Sequence, residues 1–291
     1  MMNRRRFMAI GAAFLAAPAR AEVITWQAPA LGGLVRVDLR GPRALATETA
    51  RAIAATIEEV EAAASLFRPE SGLSRLNRAG RLDDPPPALR DLLALAGRVH
   101  AATAGAFDAT VQPLWQALAE GADPASARAR IGWERVRPGP PVILGTGQAL
   151  TLNGLAQGYA ADRVRETLHA AGYGRVLVDM GEFAALSGPF RIGVDDPELG
   201  QIAIHDILGD AIATSSPGAM RLGGAFHILG PAGQRPVWST VSVQAASAAL
   251  ADGLSTAFCL MDAPAIRTAL ARLPEVSAVT AASFSGDVTT F

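Results

Sequence analysis

The 291 residues include a single cysteine, Cys259, so no internal disulfide can form. Its setting, Ala-Phe-Cys-Leu-Met, reads as a small buried hydrophobe. Aromatic residues make up only 5% of the chain, so a core must be assembled mainly from Ala, Leu, Val and Ile. An excess of positive charge is also missing, since 26 basic residues face 27 acidic ones. Four of the arginines (4, 5, 6 and 20) lie in the first 21 residues; without them 22 bases face 27 acids, a formal charge of −5. Such a chain lacks the basic footprint that nucleic-acid phosphates require. The 29 glycines and 19 prolines follow no period, which excludes a collagen-like chain, and there is no internal repeat or long linker.

What the N-terminus does contain reads as an export signal, with an ordinary general-export signal or an uncleaved anchor as the alternatives. Residues 1–21 combine an arginine cluster, an apolar run over 7–17 and an Ala-x-Ala cleavage pattern at 19–21. The run is too short to be a permanent membrane anchor. Arg4-Arg5-Arg6-Phe7-Met8 fits the twin-arginine pattern, which predicts a periplasmic location for residues 22–291.

Within 22–291 the periodicity predicts a hairpin over 23–39 about Gly32-Gly33 and a helix over 43–66. A loop with a short helix follows over 67–77, then a helix from Pro85-Pro86-Pro87 to about residue 105. A Pro- and Gly-rich loop over 135–147 separates this mostly helical part from the rest. Strands are expected at 150–152, 175–180, 190–194, 201–207, 211–214, 226–229, 238–243 and 276–282. Helices are expected at 159–172, 247–260 and 264–273. Helices early and strands late imply an α+β fold, a largely antiparallel sheet with helices packed on it.

Several short stretches can carry chemistry. Asp252 and Thr256 are four apart in Ala-Leu-Ala-Asp-Gly-Leu-Ser-Thr-Ala, so their oxygens share a helix face and suit a hard divalent cation. The same pair also fits a solvated acid and a threonine bonded back to its own helix. In Leu150–Asp162 a strand-to-helix turn is built from residues without bulk. Gly154 and Gly158 would let a phosphate approach the backbone, or would serve only close packing. Ala156 offers its carbonyl to a cation. Thr214, Ser215 and Arg221 supply hydroxyls, amides and a guanidinium suited to a diphosphate, though a polar hairpin would look alike. His227 lies between apolar neighbours, as a structural histidine or a general base.

Taken in order, these motifs resemble the ApbE family, the FAD:protein FMN transferases. The matching pieces are Ser65-Leu66-Phe67-Arg68 with Ser74 to Asn77, Gly105 to Trp115, Leu150 to Asp162, Ala213-Thr214-Ser215-Ser216 with Arg221 and Phe226 to Pro236, and Ser247 to Met261. The resemblance implies an ApbE-like fold of two lobes around a flavin-nucleotide cleft. It implies FAD as substrate, Mg²⁺ as cofactor, and transfer of FMN to a Thr hydroxyl of an acceptor flavoprotein of a membrane redox complex, with release of AMP. It assigns Mg²⁺ to Asp252, Thr256 and the Ala156 carbonyl, and the flavin or phosphates to the Gly154–Gly158 turn. Arg221 and His227 would flank the pyrophosphate, and His227 or Asp252 would serve as base.

The chain also departs from the family. Thr151 stands for Asp, Asn153 for Gly, Gln157 for Lys, Glu182 for Gly, Phe183 for an acid and Gly230 for Asp. A non-catalytic flavin-binding or assembly protein, and an FAD pyrophosphatase giving FMN and AMP, are the alternatives these departures leave open.

Overall fold

The computed structural model describes residues 23–30, 33–40 and 46–291; the expected signal segment and its cleavage site lie outside them. Eight strands form the main sheet: Val23–Ala30, Gly33–Arg40, Val176–Asp179, Phe183–Leu186, Ala211–Ser215, Trp238–Ala245, Val276–Ser283 and Val288–Thr290. Their order across the sheet is their order along the chain, and every neighbouring pair is antiparallel. The expected α+β class and antiparallel sheet are therefore what the chain adopts.

Alternation along the strands sends side chains to two covered faces. Val176 and Val178 join a cluster with Val37, Ile53, Val60, Val164 and Leu168, beneath the helices Thr47–Ala64 and Asn153–Ala170. Leu177, between them, points the other way and packs with Phe183, Ile212, Phe190 and Ile192. That second face is covered by the hairpin Phe190–Asp196 with Gly200–Ile207. A third, larger cluster joins the helices Gly72–Ala79, Pro87–Ala102 and Ala248–Phe258 to the strands Trp238–Ala245 and Val276–Ser283. Cys259 is buried there and unpaired, and burial pushes its thiol up.

Two expected strands are not formed. Residues 150–152 are an extended stretch without sheet partners. Leu150 N donates to Asn77 Oδ1 at 2.7 Å, and Asn77 Nδ2 donates to the Leu150 carbonyl at 2.9 Å. One side-chain amide and the Ala109 carbonyl, which accepts from Thr151 N at 2.8 Å, thus replace a partner strand, while fully buried Leu150 and Leu152 mimic strand alternation by packing. The helix also begins earlier than its spacing suggests, at Asn153 rather than residue 159, with a kink at Gly154 (φ −87°, ψ 22°). The strand expected over 226–229 ends at Phe226, because the His227 ring turns to bond backbone carbonyls instead. The strand Phe183–Leu186 and the helices Gln112–Glu120 and Pro124–Arg128 were not expected.

Candidate active site

Two antiparallel helices, Asn153–Ala170 and Ala248–Phe258, hold the centre of the site, and their contacts step by four residues. At the first step, a Cβ on Gly154 would lie 3.0 Å from Thr256 Oγ1. At the second, Gly158 N points to Asp252 Oδ2 at 3.5 Å, a long contact. A Cβ on Gly158 would fall 2.7 Å from Ala249 N and closer still to the Ala248 carbonyl. At the third, the Asp162 carboxylate accepts from Ala248 N and Ala249 N, both at 3.0 Å, and from Ser247 Oγ at 2.7 Å. Arg165 pairs with the same carboxylate at 2.9 Å. Asp162 therefore caps the facing helix from outside its own sequence, beside the local cap in which Ser247 Oγ accepts from Leu250 N.

This crossing gives the small residues a packing role. The close packing set beside phosphate approach is what Gly154 and Gly158 display: each lacks a side chain where the facing helix comes near. The consequence for the site is the same convergence, since the segment carrying Ala156 is held against Asp252 and Thr256. Asp252 and Thr256 do share a helix face, and that face is turned inward. Asp252 is only 4% exposed, which removes the solvated-acid reading.

The strand Ala211–Ser215 closes the third side. Ser215 Oγ is 3.3 Å from Thr256 Oγ1 and 2.8 Å from Ser255 Oγ. Ser255 Oγ in turn donates to the Asp252 carbonyl at 3.0 Å. Thr214 N donates to Glu182 Oε2 at 3.2 Å. Burial pushes the Asp252 carboxyl up to about 7, against the weak opposing pull of Gly158 N–H. Burial also raises Glu182 well above the carboxylate range. The Asp252 charge adds to this, the Thr214 N–H opposes it, and the Asp179 charge again raises it. Among the described residues neither acid forms an ion pair with a basic side chain.

Arg221 and His227 form a second group on the segment that follows this strand. The Arg221 guanidinium lies 3.9 Å over the Phe226 ring, across the short hairpin Arg221–Leu222 with Ala225–Phe226, and is exposed. His227 Nδ1 lies 3.1 Å from the Pro217 carbonyl and 3.3 Å from that of Met220. Only an Nδ1–H can serve both, so the free nitrogen is Nε2. Burial lowers the His227 pKa, opposed by the Met220 and Pro217 carbonyls, so the ring is neutral at pH 7.

One residue that organises this site was not singled out from the sequence, Asp162 as a cap. A carboxylate in Gly-Tyr-Ala-Ala-Asp-Arg-Val, among positions spaced to be buried, was the available signal for Asp162. For a divalent cation the side-chain donors gathered here are all oxygen: Asp252, Thr256 and Ser215, with Glu182 bonded to the neighbouring Thr214 N. That set suits a hard ion such as Mg²⁺, and two buried acids without a basic partner favour a cation beside them. Among the described residues no group of three or more His, Cys, Asp or Glu could hold a metal, so hydroxyl, carbonyl or ligand oxygens would have to complete the shell.

Comparison with known proteins places the chain in a family. The model of the ApbE family matches residues 31–280. The FAD:protein FMN transferase of Klebsiella pneumoniae (strain 342) is 28% identical, over 79% of this chain and 76% of the relative. That of Salmonella typhimurium is 29% identical over the same shares. Among solved structures, the flavin transferase ApbE from Vibrio cholerae superposes with a TM-score of 0.79 at 22% identity, over 93% of this chain and 97% of its own. The ApbE protein of Thermotoga maritima gives 0.80 at 23%, over 92% and 96%.

Proposed function

The chain belongs to the ApbE family, and from that premise we propose that it is a Mg²⁺-dependent FAD:protein FMN transferase acting on a Thr hydroxyl of an acceptor flavoprotein. The observation that carries the proposal is the convergence of Asp252, Thr256 and Ser215 with the Gly154–Gly158 segment of the facing helix. Asp252, Thr256 and the Ala156 carbonyl would hold Mg²⁺, which when bound neutralises pyrophosphate charge and stabilises the leaving phosphate.

The chain's own groups supply the rest. Ser215, at the end of its strand, offers a hydroxyl to phosphate oxygens and Arg221 an exposed guanidinium, whereas the Thr214 hydroxyl donates to Ser242 Oγ at 3.0 Å and leaves only neighbouring groups to the ligand. His227 is neutral, with Nδ1–H committed to two carbonyls, so Nε2 can take the proton of the acceptor hydroxyl. The hydroxyl oxygen bonds to the FMN phosphorus as the bond to the AMP oxygen breaks, and AMP leaves. Placing residues 22–291 in the periplasm, delivered by the twin-arginine route, belongs to the same proposal, as does an acceptor in a membrane redox complex. No helix of the described residues is long and apolar enough to cross a membrane.

The test incubates the protein with FAD, Mg²⁺ and an acceptor bearing the Thr target, and follows both flavin fluorescence on the acceptor and AMP release. Wild type labels the acceptor. Asp252→Ala abolishes labelling, and His227→Gln slows it by about 10²–10⁴-fold. AMP without labelling would make the protein an FAD pyrophosphatase. Bound flavin with neither product would make it a flavin-binding or assembly protein.

A further inference from the structure

Glu182 stands where the resemblance leaves a glycine, and the fold directs it inward. It is 8% exposed, at the start of the strand that pairs with Ala211–Ser215. Three elements of the site surround it. Thr214 N donates to its Oε2 at 3.2 Å. Gly181, just before it, sits against the Gln157 side chain of the glycine-bearing helix, where a Cβ would be 3.7 Å from Nε2. Gly158, next to Gln157, turns its N–H to Asp252 Oδ2 at 3.5 Å, so the Asp252 carboxylate lies along the same helix that Gly181 approaches. Thr214 adjoins Ser215, whose hydroxyl touches Thr256.

We propose that Glu182 is a second carboxylate for the divalent cation at Asp252, and that it lets the protein bind the metal before any nucleotide arrives. The inference rests on the metal site proposed above. Two buried acids this close repel each other and are costly to ionise unless a cation lies between them or a proton is shared. The usual Lys of the third motif is here Gln157, so no ammonium from that position competes for the acids. A single-carboxylate site depends on phosphate oxygens for affinity, whereas a second carboxylate raises the charge facing the ion, so that hydroxyl, carbonyl and water oxygens can complete the shell without a nucleotide.

The experiment titrates Mn²⁺ into nucleotide-free protein, reading bound metal by electron paramagnetic resonance and the melting temperature alongside. Wild type is expected to bind with saturation and to melt higher with metal. Glu182→Gln, which keeps an acceptor for Thr214 N, should bind at least tenfold more weakly and lose most of the rise in melting temperature that metal gives wild type. Asp252→Asn should abolish binding. Equal Mn²⁺ affinity in wild type and Glu182→Gln, with Asp252→Asn silent, would overturn the role of Glu182 and leave the metal site standing. Binding unchanged in Asp252→Asn would overturn the metal site itself, and the inference with it.

Discussion

Asp196 collects four donors on one carboxylate: Glu198 N at 2.8 Å, Leu199 N at 2.9 Å, and the Ser239 and Thr240 hydroxyls, both at 2.6 Å. Thr240 continues to Ser216 at 2.7 Å, next to the site serine. Burial alone would raise the Asp196 pKa, but Ser239, Thr240 and the two amides together hold it below the ordinary value. A lowered acid contributes stability above its unfolded pKa of about 3.9 and loses it as pH falls through the folded value. Asp196→Asn should therefore cost about 1–3 kcal/mol near pH 7 by urea unfolding. The gap to wild type should close below about pH 4. A gap that persists in acid would mean the carboxylate charge is not what anchors the hairpin. Gly230 is explained at this scale too. A Cβ there would meet Gln234 N at 2.6 Å, so the turn leaves no room for the family's Asp.

The element that decides the site is the helix pair. In an open helix Gly→Ala favours folding by about 1 kcal/mol. At Gly158 the sign should reverse, because the added methyl meets the Ala248 and Ala249 backbone rather than a side chain that can turn aside. Gly158→Ala is expected to destabilise by about 1–3 kcal/mol. Gly154→Ala should cost less, since its nearest neighbour is the Thr256 hydroxyl. Chemical unfolding of both variants measures the order; a stabilised Gly158→Ala would show that the helices can separate without loss. The hydrogen bonds from Asp162 to the opposite helix fix the register along the same contact.

For the whole molecule, the first concern is where it works. Replacing Arg4 and Arg5 by Lys should leave the protein in the cytoplasm, because the twin-arginine route reads the guanidinium pair itself. Fractionation of cells expressing both forms checks this, and equal periplasmic recovery would point to the general export route. The sheet runs in chain order, yet residues 46–170 intervene between its second and third strands. That insertion carries the helices that cover one face, including the glycine-bearing helix of the site.

Read alone, the sequence determined the α+β class, the hairpin over 23–39, the late helix with Asp252 and Thr256 on one face, and the family resemblance. Each rests on local periodicity or on motif order, which contacts distant in sequence do not alter. It misread residues 150–152, because buried alternation looks the same whether a strand, or Asn77 with the Ala109 carbonyl, satisfies the backbone. It did not separate packing from phosphate approach at Gly154 and Gly158, since both demand the same missing side chain. Only the tertiary structure decided the first and gave the glycines their packing role, and only it set Glu182 beside Asp252. Seventy residues of chain separate that pair, and a buried charge takes its character from neighbours in space.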